Sequence, residues 1–317
     1  MKYRQLGQSG LAVSEIGFGG WGIGGRTAGA TSYGDTDDAQ SRRALSAAVD
    51  QGITFFDTAP AYGDGHSESL MGEVLSGHRG RVIIATKAGQ DRFSEAPDFS
   101  WDGLRRSLEG SLRRLRTDCV DLLQLHSPPL EVLGSLPDLV GVLETFRAEG
   151  KIRHFGLSVK APTEVAVVLE HCRPAVLQIN LNMLDWRAVE CGALDHAVTL
   201  GVGVVARTPL CFGFLSGAVT GETRFAPGDH RSAWPRERLL HWTEGATAVM
   251  AAANLPTGQT WAQAALRFCL SFPAVSTVIP GILSVEEVCE NAACSDLGPF
   301  SPAVLDDIVA AYRDLGL

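Results

Sequence analysis

VDLLQLHSPPLEVLGSLPDLVGVLETFRAEGKIRHFGL, residues 120–157, places two short apolar runs on either side of a stretch with helical spacing. Val120–Leu125 and Arg153–Leu157 lack the strict apolar–polar alternation of a strand with one wet face. They read instead as strands buried on both sides, as in a parallel sheet. Between them, Pro137–Glu149 repeats apolar residues at helical spacing. Gly150 follows it, where a residue with positive φ is wanted. A strand, a helix and a second strand in 38 residues make one parallel crossover unit.

The same alternation runs outward in both directions. Further strands are expected at Ile16–Gly19, Thr54–Phe56, Val82–Thr86, Ala175–Ile179, Val202–Ala206 and Thr277–Ile279. Helices are expected at Asp38–Gln51, Ser67–Ser76, Trp101–Arg116, Thr163–His171, Ala188–Leu200 and Thr260–Ser271, and Gly52 and Gly201 follow two of them. Eight strands with intervening helices close most naturally into a (β/α)₈ TIM barrel, an α/β fold, with an open doubly wound sheet as the alternative. Residues 1–15 read as an N-terminal β-hairpin that turns at Gln8-Ser9-Gly10 and plugs one end of the barrel. Residues 211–258, after the seventh strand, form a connection long enough to be a lid or to hold helices of its own. No linker, low-complexity tract or charge block divides the chain, so residues 1–317 are expected to form a single domain.

Composition narrows the function. A net charge of −9 argues against nucleic-acid binding, which needs a basic face. With 45% hydrophobic and 20% charged residues the chain can bury a large core. No apolar run approaches the ~20 residues of a membrane helix, and the N-terminus lacks the apolar segment of a secretory leader. Seven scattered cysteines without a C-x-x-C pair read as reduced thiols, and no His/Cys spacing suggests a metal site. A soluble cytoplasmic protein is the expectation.

Gly17-Phe18-Gly19-Gly20-Trp21-Gly22 matches the G-x-G-x-x-G dinucleotide fingerprint. That motif requires its last glycine to open a helix holding the pyrophosphate. Here the chain continues Ile23-Gly24-Gly25-Arg26-Thr27-Ala28-Gly29, which has loop composition. The segment is therefore read as a Gly-rich turn that lets a ligand approach the backbone, with Trp21 lining a pocket.

Four polar residues fall at or just beyond predicted strand ends: Asp57, Tyr62, Lys87 and His126. Singly, each has a structural reading, as a turn cap, a packed ring, a solvated strand end and a half-buried imidazole. Together on one barrel rim they suit proton transfer to a carbonyl oxygen. Tyrosine, with a pKa of ~10, needs help to exchange protons near neutrality, and a neighbouring ammonium favours its phenolate. Asp57 would keep Lys87 charged and directed, and His126 would orient the carbonyl. Carbonyl reduction also needs a hydride source, so a nicotinamide cofactor is implied.

The segments Phe56-Asp57-Thr58-Ala59-Pro60-Ala61-Tyr62-Gly63, Ala85-Thr86-Lys87 and Leu123-Gln124-Leu125-His126 resemble signature regions of the aldo-keto reductases. So do Gly150-Lys151-Ile152-Arg153 through Gly156-Leu157-Ser158, and Ile279-Pro280-Gly281 through Asn291. The resemblance spans essentially the whole chain. It implies a barrel that binds NAD(P)H extended across the strand C-termini, without a Rossmann domain. It makes Tyr62 the general acid, Lys87 and Asp57 its tuning pair, and His126 the carbonyl-orienting group. Ser158 and Gln178 would hold the nicotinamide carboxamide, with Gly20, Trp21 and Asp57 beside the cofactor. Arg207, Thr208, Pro209 and Leu210, with Phe212 and Gly213, would cover its ribose and pyrophosphate. Gly281, Leu283, Glu287, Glu290 and Asn291 would grip the adenosine end. Substrate would meet Trp21, Tyr62, His126 and part of the 211–258 loop.

The chain departs from the family pattern in three places. Val159 follows Ser158 where many members have Asn. Arg207 stands where many place an aromatic ring against the nicotinamide, and its planar guanidinium is a possible substitute. The segment from Gly281 to Glu287 carries Glu286 and Glu287 and no cation for a 2′-phosphate. Arg231 or Arg224 is the remaining candidate for that charge. Family habit favours NADP(H) and local electrostatics favours NAD(H); NADP(H) is ranked ahead. The leading expectation is an NAD(P)H-dependent oxidoreductase that interconverts an aldehyde or ketone with its alcohol. The alternatives are an NAD-dependent sugar or alcohol dehydrogenase and a cofactor-binding regulatory subunit like the potassium-channel β subunits. The expected partner is a small-molecule carbonyl or alcohol, with no nucleic acid, membrane or metal; the sequence leaves oligomeric state open.

Overall fold

The computed structural model describes residues 1–27 and 31–316. A two-stranded antiparallel hairpin, β1 (Tyr3–Gln5) and β2 (Ala12–Ser14), precedes eight parallel strands. These are β3 (Phe18–Gly19), β4 (Phe55–Asp57), β5 (Ile83–Ala88), β6 (Val120–His126), β7 (Ile152–Ser158), β8 (Val176–Asn180), β9 (Gly203–Arg207) and β10 (Val275–Ile279). Each pairs with the next in sequence order. The ring closes where the Gly17 and Gly19 amides donate to the carbonyls of Val278 and Pro280. The eight expected strands and the hairpin are all present, in a (β/α)₈ barrel.

The barrel strands are surrounded by α1 (Asp38–Asp50), α2 (His66–Leu75), α3 (Trp101–Arg114), α4 (Leu130–Leu133), α5 (Leu136–Ala148) and α6 (Val165–His171). Then come α7 (Arg187–Glu190), α8 (Ala193–Thr199), α9 (Arg236–Ala252), α10 (Trp261–Leu270), α11 (Val285–Leu297) and α12 (Pro302–Asp314). The helix expected over Ala188–Leu200 is two helices, because Gly192 between them adopts φ 71°. The one expected over Thr163–His171 begins as a 3₁₀ turn at Pro162–Glu164. The long connection contains α9 and two 3₁₀ segments. Sequence reading named neither α11 nor α12. The buried face of α11 is Val288, Asn291, Ala292, Cys294 and Ser295, too small and polar to stand out as an apolar stripe. Gly22 opens a three-residue 3₁₀ turn, and among the described residues no α-helix follows it before α1, so Gly22 does not open the helix that a dinucleotide fingerprint requires. Ala28 and Gly29 of that loop lie outside the described residues.

Side chains alternate across each strand, so every second residue faces the barrel interior. Phe55, Ala85, Leu122, Val176, Val205 and Ile279 form one buried cluster there, closed from below by Leu6 and Val13 of the hairpin. One step of two residues further along, the inward positions become Asp57, Lys87, Gln124, Gln178, Arg207 and Gly281. Apolar core thus turns into polar rim within a single repeat. No helix among the described residues is long and apolar enough to cross a membrane.

Leu6 is wholly buried against that inner cluster. Leu6→Ala is expected to cost about 2–5 kcal/mol through the cavity it leaves. Calorimetry should show a lower Tm while ligand affinity at the opposite rim is unchanged; an unaltered Tm would remove the hairpin from the barrel's core.

Candidate active site

Asp57 ends β4, Lys87 is next to last in β5, and His126 ends β6. Tyr62 stands in the turn after β4, its amide hydrogen-bonded to the Ala59 carbonyl. Lys87 is fully buried, and its Nζ donates to Asp57 Oδ1 at 2.5 Å and to the Thr58 carbonyl at 3.0 Å. The same Nζ lies 4.8 Å from the centre of the Tyr62 ring. Tyr62 and His126 meet edge to face, with ring centres 5.9 Å apart. The four expected residues are in one place.

Asp57 has a second set of partners. Its Oδ2 accepts from Gln124 Nε2 at 2.9 Å and from Gln178 Nε2 at 2.8 Å. Gln178 Nε2 also reaches Gln124 Oε1, and the Ser158 hydroxyl donates to Gln178 Oε1. Gln124 was not among the expected residues. The period-two step from buried Leu122 would have found it, since it is the next inward position on β6.

The electrostatics follow from burial. Burial pushes the Tyr62 phenol above its ordinary value, against the pull of Lys87, so the group is a protonated phenol at neutral pH. The sequence argument considered only the lowering by Lys87; desolvation outweighs it. Burial by itself would lower Lys87, yet Asp57 and Tyr62 together raise it above the usual ammonium range. Burial, then Lys87 and Arg207, hold His126 well below the usual imidazole range, so it is neutral.

A cleft of about 530 Å³ opens over this rim. All the residues expected at the site line it except Lys87, Ser158, Arg224, Glu290 and Asn291. Lys87 lies beneath Tyr62, and Ser158 is buried behind Gln178. Glu290 and Asn291 sit one turn further along α11 than Glu287, which does reach the cleft. Tyr33 and Phe93 also line it, both in loops whose position spacing alone does not reveal. Arg231, a candidate for the 2′-phosphate, is paired through two hydrogen bonds with Asp229 and donates to the Phe212 carbonyl. It packs over the Tyr33 and Phe225 rings, fastening the long connection to the cleft wall. Arg224 is exposed and donates only to carbonyls of its own turn. Glu287 Oε2 accepts from the Leu283 amide. Among the described residues no cluster of three or more His, Cys, Asp or Glu could hold a metal ion.

Known proteins agree with this architecture. The chain is 32% identical over 289 residues to the aldo-keto reductase YhdN of Bacillus subtilis, covering 89% of this chain and 85% of that one. It is 29% identical to a probable voltage-gated potassium channel subunit beta of Oryza sativa subsp. japonica, covering 99% and 97%. Its structure is similar to the holo form of an aldo-keto reductase from Bacillus halodurans, with a TM-score of 0.79, 28% identity and coverage of 98% and 96%. The model of the aldo/keto reductase family matches residues 15–313, and the chain belongs to that family of oxidoreductases.

Proposed function

We propose that the protein reduces an aldehyde or ketone to its alcohol, with Tyr62 as the proton donor and NAD(P)H as the hydride source. The observation that carries this reading is the buried Lys87 ammonium, held between Asp57 and the Tyr62 ring. A carbonyl oxygen placed over Tyr62 and His126 would accept one hydrogen bond from each. As negative charge develops on it, the Tyr62 hydroxyl gives up its proton and the Lys87 ammonium stabilises the phenolate left behind. Asp57 balances that ammonium, and the Gln124 and Gln178 amides fix Asp57. Trp21, Tyr33, Phe93 and Phe212 line the cleft, which suits a substrate with an apolar or ring face.

The cleft fits a dinucleotide. Two buried polar atoms of its lining, His126 Nδ1 and Arg207 Nε, have no protein partner. A Cβ at Gly281 would meet nothing within 4 Å, leaving the backbone there open to a close ligand. Gln178 and the turn from Arg207 to Leu210 would hold the nicotinamide end, and Gly281, Leu283 and Glu287 the adenosine end. When bound, the cofactor supplies the hydride. With Arg231 paired to Asp229, no unpaired cation is among the residues lining the Glu287 end of the cleft, which favours NAD(H) over NADP(H), although exposed Arg43 acts on Glu286 from outside that lining. That preference is the observation in favour of a second reading, a dehydrogenase working in the oxidative direction. The regulatory-subunit reading is less favoured, because Asp57, Tyr62, Lys87 and His126 are assembled as a complete proton-transfer set.

Tyr62→Phe is expected to lower carbonyl reduction by about 10²–10⁴-fold while nucleotide still quenches tryptophan fluorescence; turnover like that of the natural enzyme would sink the assignment. The raised Tyr62 pKa sets the pH dependence. A proton donor is lost only as pH rises through its pKa, so reduction should hold steady through neutrality and fall only in strong alkali. Oxidation, which needs the phenolate, should climb with pH. Neutral His126 adds no step near pH 6–7, and a step there in kcat/KM would contradict the assigned imidazole state. In parallel titrations NADH should bind at least about tenfold more tightly than NADPH, and the reverse order would place an unrecognised cation at the adenosine end.

A further inference from the structure

Arg207 is the last residue of β9, set beside Asn180 in register, and it lines the cleft. Its Nη2 donates to the Val159 carbonyl at 3.0 Å, and its Nε, buried, has no partner. It makes no salt bridge among the described residues, and the acid of this rim, Asp57, is taken by Lys87. Burial acts against the charge of Arg207, while Tyr62, Asp185 and Asp57 act in its favour; Asp185 is itself held by Arg187. The same cation helps depress His126. Counting the charges that act here, Lys87 and Asp57 cancel, Arg187 and Asp185 cancel, Tyr62 and His126 are neutral, and Arg207 leaves one positive charge uncompensated.

That charge acts on whatever ring exchanges hydride with a carbonyl held at Tyr62 and His126, because such a ring must lie at this end of the cleft. The two redox states of a nicotinamide differ there by one charge: the oxidised ring is a cation and the reduced ring is neutral. An unscreened cation in a partly desolvated site repels the first and is indifferent to the second. We propose that Arg207 makes the site select the redox state of its cofactor, holding the reduced nicotinamide more tightly than the oxidised one. This rests on the nicotinamide-dependent reading of the site given above.

The test is a set of fluorescence titrations on the full-length protein with NADH and with NAD⁺, in the natural chain and in Arg207→Gln and Arg207→Lys. The ratio of the Kd for NAD⁺ to the Kd for NADH should lie well above one in the natural chain. It should fall about tenfold in Arg207→Gln and be largely kept in Arg207→Lys. A ratio unchanged by Arg207→Gln would overturn the proposal. So would equal loss in both variants, because that pattern belongs to ring stacking by the planar guanidinium rather than to its charge. A natural-chain ratio at or below one overturns it without any variant, which covers the case of an Arg207→Gln protein that does not fold. Failure of the natural chain to bind either nucleotide would instead sink the cofactor reading itself.

Discussion

A buried ammonium with one carboxylate beside it is the constraint around which this rim is organised. Taking either Lys87 or Asp57 out of water alone would be prohibitive, and removing one partner of such a pair typically costs about 3–5 kcal/mol. The chain surrounds the pair with fixed dipoles: the Thr58 carbonyl on Lys87, and the Gln124 and Gln178 amides on Asp57. Those amides come from β6 and β8, so the ion pair ties together strands separated by one neighbour. Rigidity follows, and with it a proton donor whose ammonium partner cannot swing away.

The same pair sets the charge of the rest of the cleft. Because Asp57 is taken by Lys87, it cannot also neutralise Arg207, and because Asp229 holds Arg231, that arginine cannot serve the far end. The cleft is therefore polarised, with an excess positive charge where chemistry would occur and Glu287 at the other extremity. A ligand that carries its own charge asymmetry would be read in one orientation only.

Much of this was legible in the sequence because it depends on short-range periodicity. Uniformly apolar strands, glycines closing helices, and polar residues at strand ends reported the barrel and placed Asp57, Lys87 and His126 on one rim. What escaped depends on the third dimension. Gln124 could be placed on the inner face by period two from Leu122, but its bond to Asp57 joins strands that sequence spacing does not relate. Arg231 looked like a free cation until Asp229, two residues earlier, proved to face it. The helix α11 buries small and polar residues, so its pattern does not announce a core face. The net effect of burial on Tyr62 could not be weighed against Lys87 without knowing how deeply both sit.

The two-residue step from Phe55 to Asp57, Ala85 to Lys87 and Leu122 to Gln124 has a bearing on how this scaffold can change over evolutionary time. Point substitutions at the upper step, outside the Asp57–Lys87 pair and the amides that hold it, alter reactivity while keeping the apolar layer beneath. A single-residue deletion inside a strand is another matter. It would rotate every following side chain to the opposite face, sending His126 outward and Leu125 into the cleft. Length variation should consequently accumulate in the connections, as in the long segment carrying α9, while the strands diversify by exchange and keep their length.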